Sequence, residues 1–281
     1  AAAADEAARP YDLPPILVEP KAGPITLFQR EPNGEYRVRL NTGQTFWCQY
    51  AYQFAHEFCH ILCNYREGDA SNKWFEESLC ELASIFAIRA MAKSWQTSPP
   101  YPNWRDFSKS LQSYADDLVK QGQLPPGTPL PDWLKANLPE LAKKADIRDK
   151  NRVVAVALLP LFEKAPEHWE AVGWLNAADT GSKRSFPVYL ADWQAEAPRK
   201  HKVFIVVAKR SFEPPRWDDR VAEAFMKQCL SMGERQRGLP PRLEQILNRL
   251  ALSVEHRVCR GLRRHGPVSA ASSAGAEQPV Y

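Results

Sequence analysis

The sequence predicts an α+β protein that is predominantly helical and carries a small N-terminal β-sheet. Residues 36–41 alternate apolar and polar side chains, which is typical of a half-buried strand. From residue 75 to about residue 212, apolar residues recur mainly at helical spacing, and proline-rich breaks separate the stretches. We therefore expect a small sheet followed by several helices.

The N-terminal part is predicted to contain a β-hairpin. Residues 1–20 have the character of an extended segment, and residues 25–28 form a second predicted strand. Turn-forming residues at 31–34 connect this strand to the strand at 36–41. We expect the hairpin to pack on the helix that follows it, over about residues 48–63.

That helix contains the motif HExxH, formed by His56, Glu57 and His60. Two histidines four residues apart lie on one face of a helix, so their ring nitrogens can converge on one ion. The glutamate beside the first histidine can then take a proton from water at the metal. The motif therefore predicts a metal site with hydrolytic chemistry.

A second helix, over about residues 72–93, supplies carboxylates for this site. Ser71 and Asn72 are good N-cap residues, and apolar side chains recur at helical spacing after them. Two histidines, one carboxylate and an open fourth position for water make a catalytic zinc site. The sequence offers three carboxylates on this helix, Glu76, Glu77 and Glu81.

Over about residues 36–90 the chain resembles the gluzincin metallopeptidases, which pair HExxH with a glutamate ligand on the next helix. In several members that glutamate follows a tryptophan by three positions, as Glu77 follows Trp74. The resemblance therefore implies a zincin-like fold and one catalytic Zn²⁺ held by His56, His60 and Glu77. It also implies that Glu81, four positions later, orients a ligand histidine.

Two departures from the gluzincin pattern keep an alternative ligand open. Ser78 stands where glycine is frequent, and the spacing between the two motifs is shorter than in the best-known members. Glu76 therefore remains a rival to Glu77 as the third ligand. A cysteine is a further alternative, although a carboxylate fits the pattern better.

The implied reaction is peptide hydrolysis, with a peptide or protein as substrate. Glu57 accepts the proton of the zinc-bound water and then delivers it to the leaving amine. A strand just before the active helix often borders the cleft in zincin folds, so Arg37 or Arg39 could favour acidic side chains; two solvated arginines are the favoured alternative. The sequence does not rank the candidate oxyanion donors, which are Tyr65, Tyr101, Tyr114, His168 and His201.

The six cysteines do not form a CxxC pair, which argues against a zinc ribbon or a thioredoxin-type motif. Four of them lie near the predicted site, at positions 48, 59, 63 and 80. Cys80 could form a disulfide with the first helix in an oxidising compartment. Equally, all four could be small buried thiols in a reducing one.

The domain prediction divides the chain at residues 20 and 212. Residues 21–212 form the predicted catalytic domain, with a helical part over 105–212. Its predicted helices cover residues 107–120, 133–145, 151–164, 166–176 and 186–196, and residues 203–207 form a buried helix.

Residues 213–281 form a predicted basic helical extension that ends in a disordered tail. Residues 233–266 contain eight arginines and three glutamates, a composition that can bind nucleic acid or anionic membranes. A solvated charged helix is the favoured interpretation, and the net charge of +4 argues against a general polyanion binder.

No apolar run is long enough for a transmembrane helix, and the sequence leaves both an exported and a cytoplasmic location open. Three functions compete with the peptidase. They are a zinc hydrolase acting on a non-peptide amide, a catalytically silent zinc-containing binding module, and an interaction protein that uses the basic C-terminal helices. Glu57 argues against the silent module, because a structural zinc site needs no base.

Overall fold

The computed structural model describes residues 13–214, except residues 21, 44, 65–68 and 179–182. Three strands come first in the chain: β1 (Ile16–Glu19), β2 (Ile25–Leu27) and β3 (Tyr36–Arg39). Eight α-helices follow in the described residues: α1 (Trp47–Leu62), α2 (Lys73–Trp95), α3 (Phe107–Gln121), α4 (Leu130–Leu141), α5 (Arg148–Lys164), α6 (Trp169–Val172), α7 (Phe186–Glu196) and α8 (Arg199–Arg210). The predicted class, α+β and predominantly helical with a small N-terminal sheet, is confirmed.

The sheet has the strand order β1-β3-β2. The predicted hairpin is present, because β2 pairs antiparallel with β3 and places Thr26 opposite Val38. Gly34, in the turn, has φ +88°, a left-handed conformation that glycine adopts without steric cost. β1 was not predicted as a strand; it pairs parallel with β3 and places Val18 opposite the same Val38.

The arrangement of the sheet corrects the expectation that the strand before α1 borders a cleft. β3 is the central strand and pairs on both sides, so it has no free edge for an added peptide strand. Arg37 contacts Glu31 at 2.7 Å, and Arg39 contacts Glu19 at 3.2 Å. These two arginines form ion pairs on the sheet, and β2 is the edge strand that contacts α1.

Helix α2 is the centre of the helical part and packs against α1, α3 and α5. Its buried residues face in nearly every direction, which is the pattern of a helix enclosed by its neighbours. Aromatic and aliphatic side chains from all these helices form one large core around it. A helix enclosed in this way is a rigid support for the carboxylates in its first two turns.

The later helices agree with the sequence in type, and the predicted bounds 107–120 and 186–196 also agree closely with α3 and α7. The apolar run at residues 203–207 lies in α8, so the predicted helix is confirmed, but Val203 and Val207 are exposed and the helix is buried on one face only. In contrast, the helix predicted over residues 166–176 contains only a short 3₁₀ turn, Pro166–His168, and α6. Of the described helices, none is long and apolar enough to cross a membrane. The predicted basic extension lies almost entirely outside the described residues, which end at 214.

Candidate metal centre

The two histidines of the HExxH motif lie on one face of α1, and their ring centroids are 5.2 Å apart. This follows from the four-residue spacing, which places side chains one turn apart on the same side of a helix. The face they share is turned towards the first turns of α2. Both imidazoles are mostly buried, with 19% of the His56 side chain and 12% of the His60 side chain exposed.

The carboxylate of Glu77 lies across both imidazoles. Its Oε2 is 3.2 Å from His56 Nε2, and its Oε1 is 3.7 Å from His60 Nε2. Two ligands bonded to zinc at about 2.0–2.1 Å in tetrahedral geometry are about 3.3 Å apart. The distance between His56 and Glu77 is close to this spacing, and the distance between His60 and the other oxygen of Glu77 is longer.

The charge of Glu77 also suits a metal ligand. Burial acts to raise the pKa of this carboxyl, but the hydrogen bond with His56 and the positive charge of the two imidazoles lower it to about 2. The carboxyl is therefore ionised at neutral pH. The chemistry of the donor set, two imidazoles and an ionised carboxylate, fits zinc.

Glu76 lies on the other side of His60 and is 1% exposed. Its Oε1 is 2.6 Å from His60 Nδ1 and also accepts a hydrogen bond from Lys73, while its Oε2 accepts one from Asn176 at 2.8 Å. Burial acts to lower the pKa of His60, but Glu76 and then Glu77 raise it to about 8. Glu76 and Glu77 thus face different nitrogens of the same imidazole.

Glu57 points from α1 towards the sheet and is 3% exposed. The Thr26 hydroxyl on β2 lies 2.8 Å from Glu57 Oε2 and 2.9 Å from the Glu57 carbonyl oxygen. The hydroxyl has one proton, so it donates to one of these oxygens at a time. This contact places the HExxH glutamate against the edge strand of the sheet.

Glu81 is fully buried at a different place from the histidines. It accepts hydrogen bonds from the Tyr52 hydroxyl and from Arg152 Nε, the latter at 2.7 Å. Arg152 also donates to Gln121 at 2.7 Å. Among the hydrogen bonds of the described residues, the carboxylate acceptor at His60 Nδ1 is Glu76 rather than Glu81.

The sulfur atom of Cys80 lies close to both motif histidines. Ligand atoms of His56, His60 and Cys80 all lie within 4.8 Å of one another, so Cys80 is a second candidate for the third ligand. Burial raises the pKa of the Cys80 thiol well above its ordinary value. A bound zinc ion would itself deprotonate a coordinating thiol, so Cys80 stays an alternative to Glu77 as the third ligand.

The four cysteines near the site are free thiols, and three of them, Cys59, Cys63 and Cys80, are fully buried. This agrees with the interpretation of small buried thiols rather than with a disulfide between Cys80 and α1. The other two cysteines of the chain, Cys229 and Cys259, lie outside the described residues.

The four candidate oxyanion donors that the structure describes have their contacts away from the histidines. Tyr114 contacts Tyr52 edge to face at 6.1 Å, and His168 stacks on Phe204 at 4.0 Å. His201 is 3.7 Å from Glu170. Tyr101 is 59% exposed beside Trp104, and Tyr65 lies outside the described residues.

Four residues at or beside the site were not predicted from the sequence. Thr26, Lys73, Asn176 and Tyr189 contact the motif glutamates directly or through one another. The hairpin prediction placed Thr26 on a strand beside α1, which was the only sequence signal for its position. The other three carry no motif, and Asn176 follows Glu76 by 100 positions.

An apolar cavity of about 430 Å³ lies at the start of α1, away from the histidines. Its lining residues are Trp47, Tyr50, Ala51, Met91, Trp95, Asn103, Trp104 and Phe107. None of the motif residues contributes to it.

Comparisons of the chain with protein-family models, curated proteins and solved structures find no match.

Proposed function

We propose that the protein is a zinc-dependent metallopeptidase with a zincin-like catalytic domain. One observation carries the proposal: the Glu77 carboxylate on α2 lies 3.2 Å from His56 Nε2 and 3.7 Å from His60 Nε2, and both histidines belong to the HExxH motif of α1. HExxH with a glutamate from the next helix is the ligand pattern of the gluzincins. Helix α1, helix α2 and the sheet beside them support the zincin-like assignment.

Each residue has a distinct part in this proposal. His56, His60 and Glu77 would hold the ion, which would supply Lewis-acid chemistry for a carbonyl oxygen and for water. Glu57 takes the proton of the attacking water and passes it to the amine that leaves. Thr26 holds the Glu57 carboxylate through a hydrogen bond of 2.8 Å. A peptide or protein is the proposed substrate.

One observation favours a second candidate, a silent zinc-binding module. The Glu57 side chain is 3% exposed and bonded to Thr26, so a base at this position is partly shielded from solvent. A catalytic Glu57 must reach the attacking water, whereas a structural zinc site needs no base at all. The two candidates therefore differ in what Glu57 does after zinc is bound.

The test compares Glu57→Gln with the wild type after both have been loaded with zinc. Cleavage is followed with a mixture of quenched fluorescent peptides and with an unfolded protein. The proposal predicts zinc-dependent cleavage by the wild type and a loss of about 10²–10⁴-fold in Glu57→Gln, with its zinc content unchanged. A Glu57→Gln variant that cleaves as fast as the wild type, or a zinc-loaded wild type that cleaves nothing, would contradict the peptidase.

A further inference from the structure

We propose that Glu76 is the carboxylate that orients His60 for the metal, and that Asn176 and Tyr189 hold Glu76 in place. This inference deepens the proposed function and rests on the metal centre described above. It assigns a positioning role to Glu76, which the sequence presented as a rival ligand. It also assigns a role to two residues that belong to neither motif helix.

The first argument is that the two nitrogens of the His60 ring face two different carboxylates. His60 Nδ1 is 2.6 Å from Glu76 Oε1, whereas His60 Nε2 faces Glu77 at 3.7 Å. An imidazole that donates its Nδ1 proton to a carboxylate presents the Nε2 lone pair to a metal. The contact with Glu76 therefore fixes both the tautomer and the angle of the ring that His60 needs as a ligand.

The second argument is that the oxygens of Glu76 are already engaged. Oε1 lies against His60 and Lys73, Oε2 accepts from Asn176, and the side chain is 2% exposed. As a ligand, Glu76 would have to give up contacts with these buried partners, each of which is costly to lose. Glu77 has 17% of its side chain exposed, so it is the more accessible of the two carboxylates.

The third argument is that Asn176 and Tyr189 form a chain of hydrogen bonds that ends at Glu76. Asn176 is 2% exposed and donates through Nδ2 to Glu76 Oε2 at 2.8 Å and to the Cys63 carbonyl oxygen at 3.1 Å. The Tyr189 hydroxyl on α7 donates to Asn176 Oδ1 at 2.8 Å, which fixes the amide orientation. Side chains from the loop after α6 and from α7 thus hold a carboxylate of α2 against a histidine of α1.

Glu81 is a matched control, because it is a second glutamate of α2 that is 1% exposed. Its carboxylate contacts Tyr52 and Arg152 instead of a motif histidine. The substitutions Glu76→Gln and Glu81→Gln make the same chemical change at two equally buried positions. A difference between them in zinc binding therefore reports on position relative to His60 and not on loss of a buried charge.

The experiment begins with the wild-type protein, labelled with ¹⁵N in its histidines and loaded with zinc. Nuclear magnetic resonance should show His60 with a proton on Nδ1 and the metal on Nε2. The reverse arrangement, with the metal on Nδ1, overturns the inference. This part needs no substitution, so it holds even where a variant fails to fold.

Zinc affinity is then measured by competition with a chelator. Glu76→Gln should still bind one zinc per chain with a 10–100-fold weaker affinity, the usual effect of losing a group that orients a ligand. With cobalt in place of zinc, its absorption spectrum at saturation should match the wild type, since the ligands are unchanged. Glu81→Gln should stay within about threefold of wild-type affinity, well below that loss.

Tyr189→Phe removes only one hydroxyl and should weaken zinc binding less than Glu76→Gln while shifting the His60 Nδ1 proton signal. A changed cobalt spectrum in Glu76→Gln would make Glu76 a ligand and overturn the inference. So would equal zinc affinities of Glu76→Gln and Glu81→Gln. These two results overturn the role of Glu76 and leave the zinc site itself standing. A wild type that binds no zinc would instead overturn the proposed function together with this inference. The failure of the inference alone is therefore distinguishable from the failure of the proposed function.

Discussion

Replacing Arg152 by methionine tests whether Glu81 serves the core or the metal centre. Arg152 is 7% exposed, and its guanidinium donates to Glu81 at 2.7 Å and to Gln121 at 2.7 Å. The substitution leaves the Glu81 carboxylate buried with Tyr52 as its remaining described donor. Removing one partner of a buried ion pair costs about 3–5 kcal/mol of stability, because an uncompensated charge remains in the core.

The assay is urea unfolding in the presence of a chelator, so that bound zinc does not contribute to stability. Arg152→Met should lower the free energy of unfolding by about 3–5 kcal/mol. The double variant Arg152→Met/Glu81→Gln should recover much of this loss, since no charge is then buried alone. Arg89, which forms a half-exposed pair with Glu163 on the same helix bundle, provides the control: Arg89→Met should cost less than about 1 kcal/mol.

Two results would refute this reasoning. If Arg152→Met were no more destabilising than Arg89→Met, the pair with Glu81 would not be the buried interaction described. If folded Arg152→Met lost zinc affinity, Glu81 would be coupled to the histidines, as the gluzincin resemblance implied. We expect zinc affinity in this variant to be unchanged.

Three further predictions concern the site. Thr26→Val removes the hydroxyl that donates to buried Glu57 and should lower the free energy of unfolding in urea by about 1–3 kcal/mol, with the zinc content retained; an unchanged free energy of unfolding would argue against this hydrogen bond. In the metal-free protein, the pKa of His60 is raised from 6.5 to about 8, so its contribution is fully present below pH 6.5 and is lost as pH rises through about 8. The free energy of unfolding should therefore be about 2 kcal/mol higher at pH 6 than at pH 9, and His60→Gln should remove that difference. The pKa of Glu77 is lowered from 4.5 to about 2, so its contribution is present above pH 4.5 and is lost as pH falls through about 2; Glu77→Gln should flatten the acid limb of the same stability curve.

The sequence was informative about the helices because their patterns are local. The spacing of His56 and His60 required a shared helix face, and the structure places both rings there. The run at residues 203–207 was assigned to a buried helix; it lies in α8, but only one face of that helix is buried, since Val203 and Val207 are exposed. The same local reasoning overextended the helix at 166–176, where Gly173 marks an early end.

The parts that the sequence did not predict depend on long-range contacts. β1 has only four residues, and its burial pattern has no alternation that would identify a strand. It forms by pairing with β3, and that pairing also makes β3 the central strand. No pattern in one sequence reports such a pairing between separated segments.

The different contacts of the three glutamates of α2 could not be predicted for the same reason. Glu76 and Glu77 are adjacent in sequence, and either carboxylate fits a metal ligand by type. Glu76 accepts a hydrogen bond from Asn176, which lies in the loop after α6. Glu81 accepts one from Arg152, which lies in α5. Only the tertiary arrangement distinguishes a glutamate that faces the two histidines from one that faces the core.

The most direct test of the whole account is the zinc content per chain, measured by elemental analysis. The account predicts about one zinc in the wild type, loss of that zinc in His60→Ala/Glu77→Gln, and retention of it in Glu57→Gln, because Glu57 holds no metal in this account. A wild type that binds no zinc, even after zinc is added back, would contradict the metal centre and leave HExxH as a coincidence on a helical scaffold.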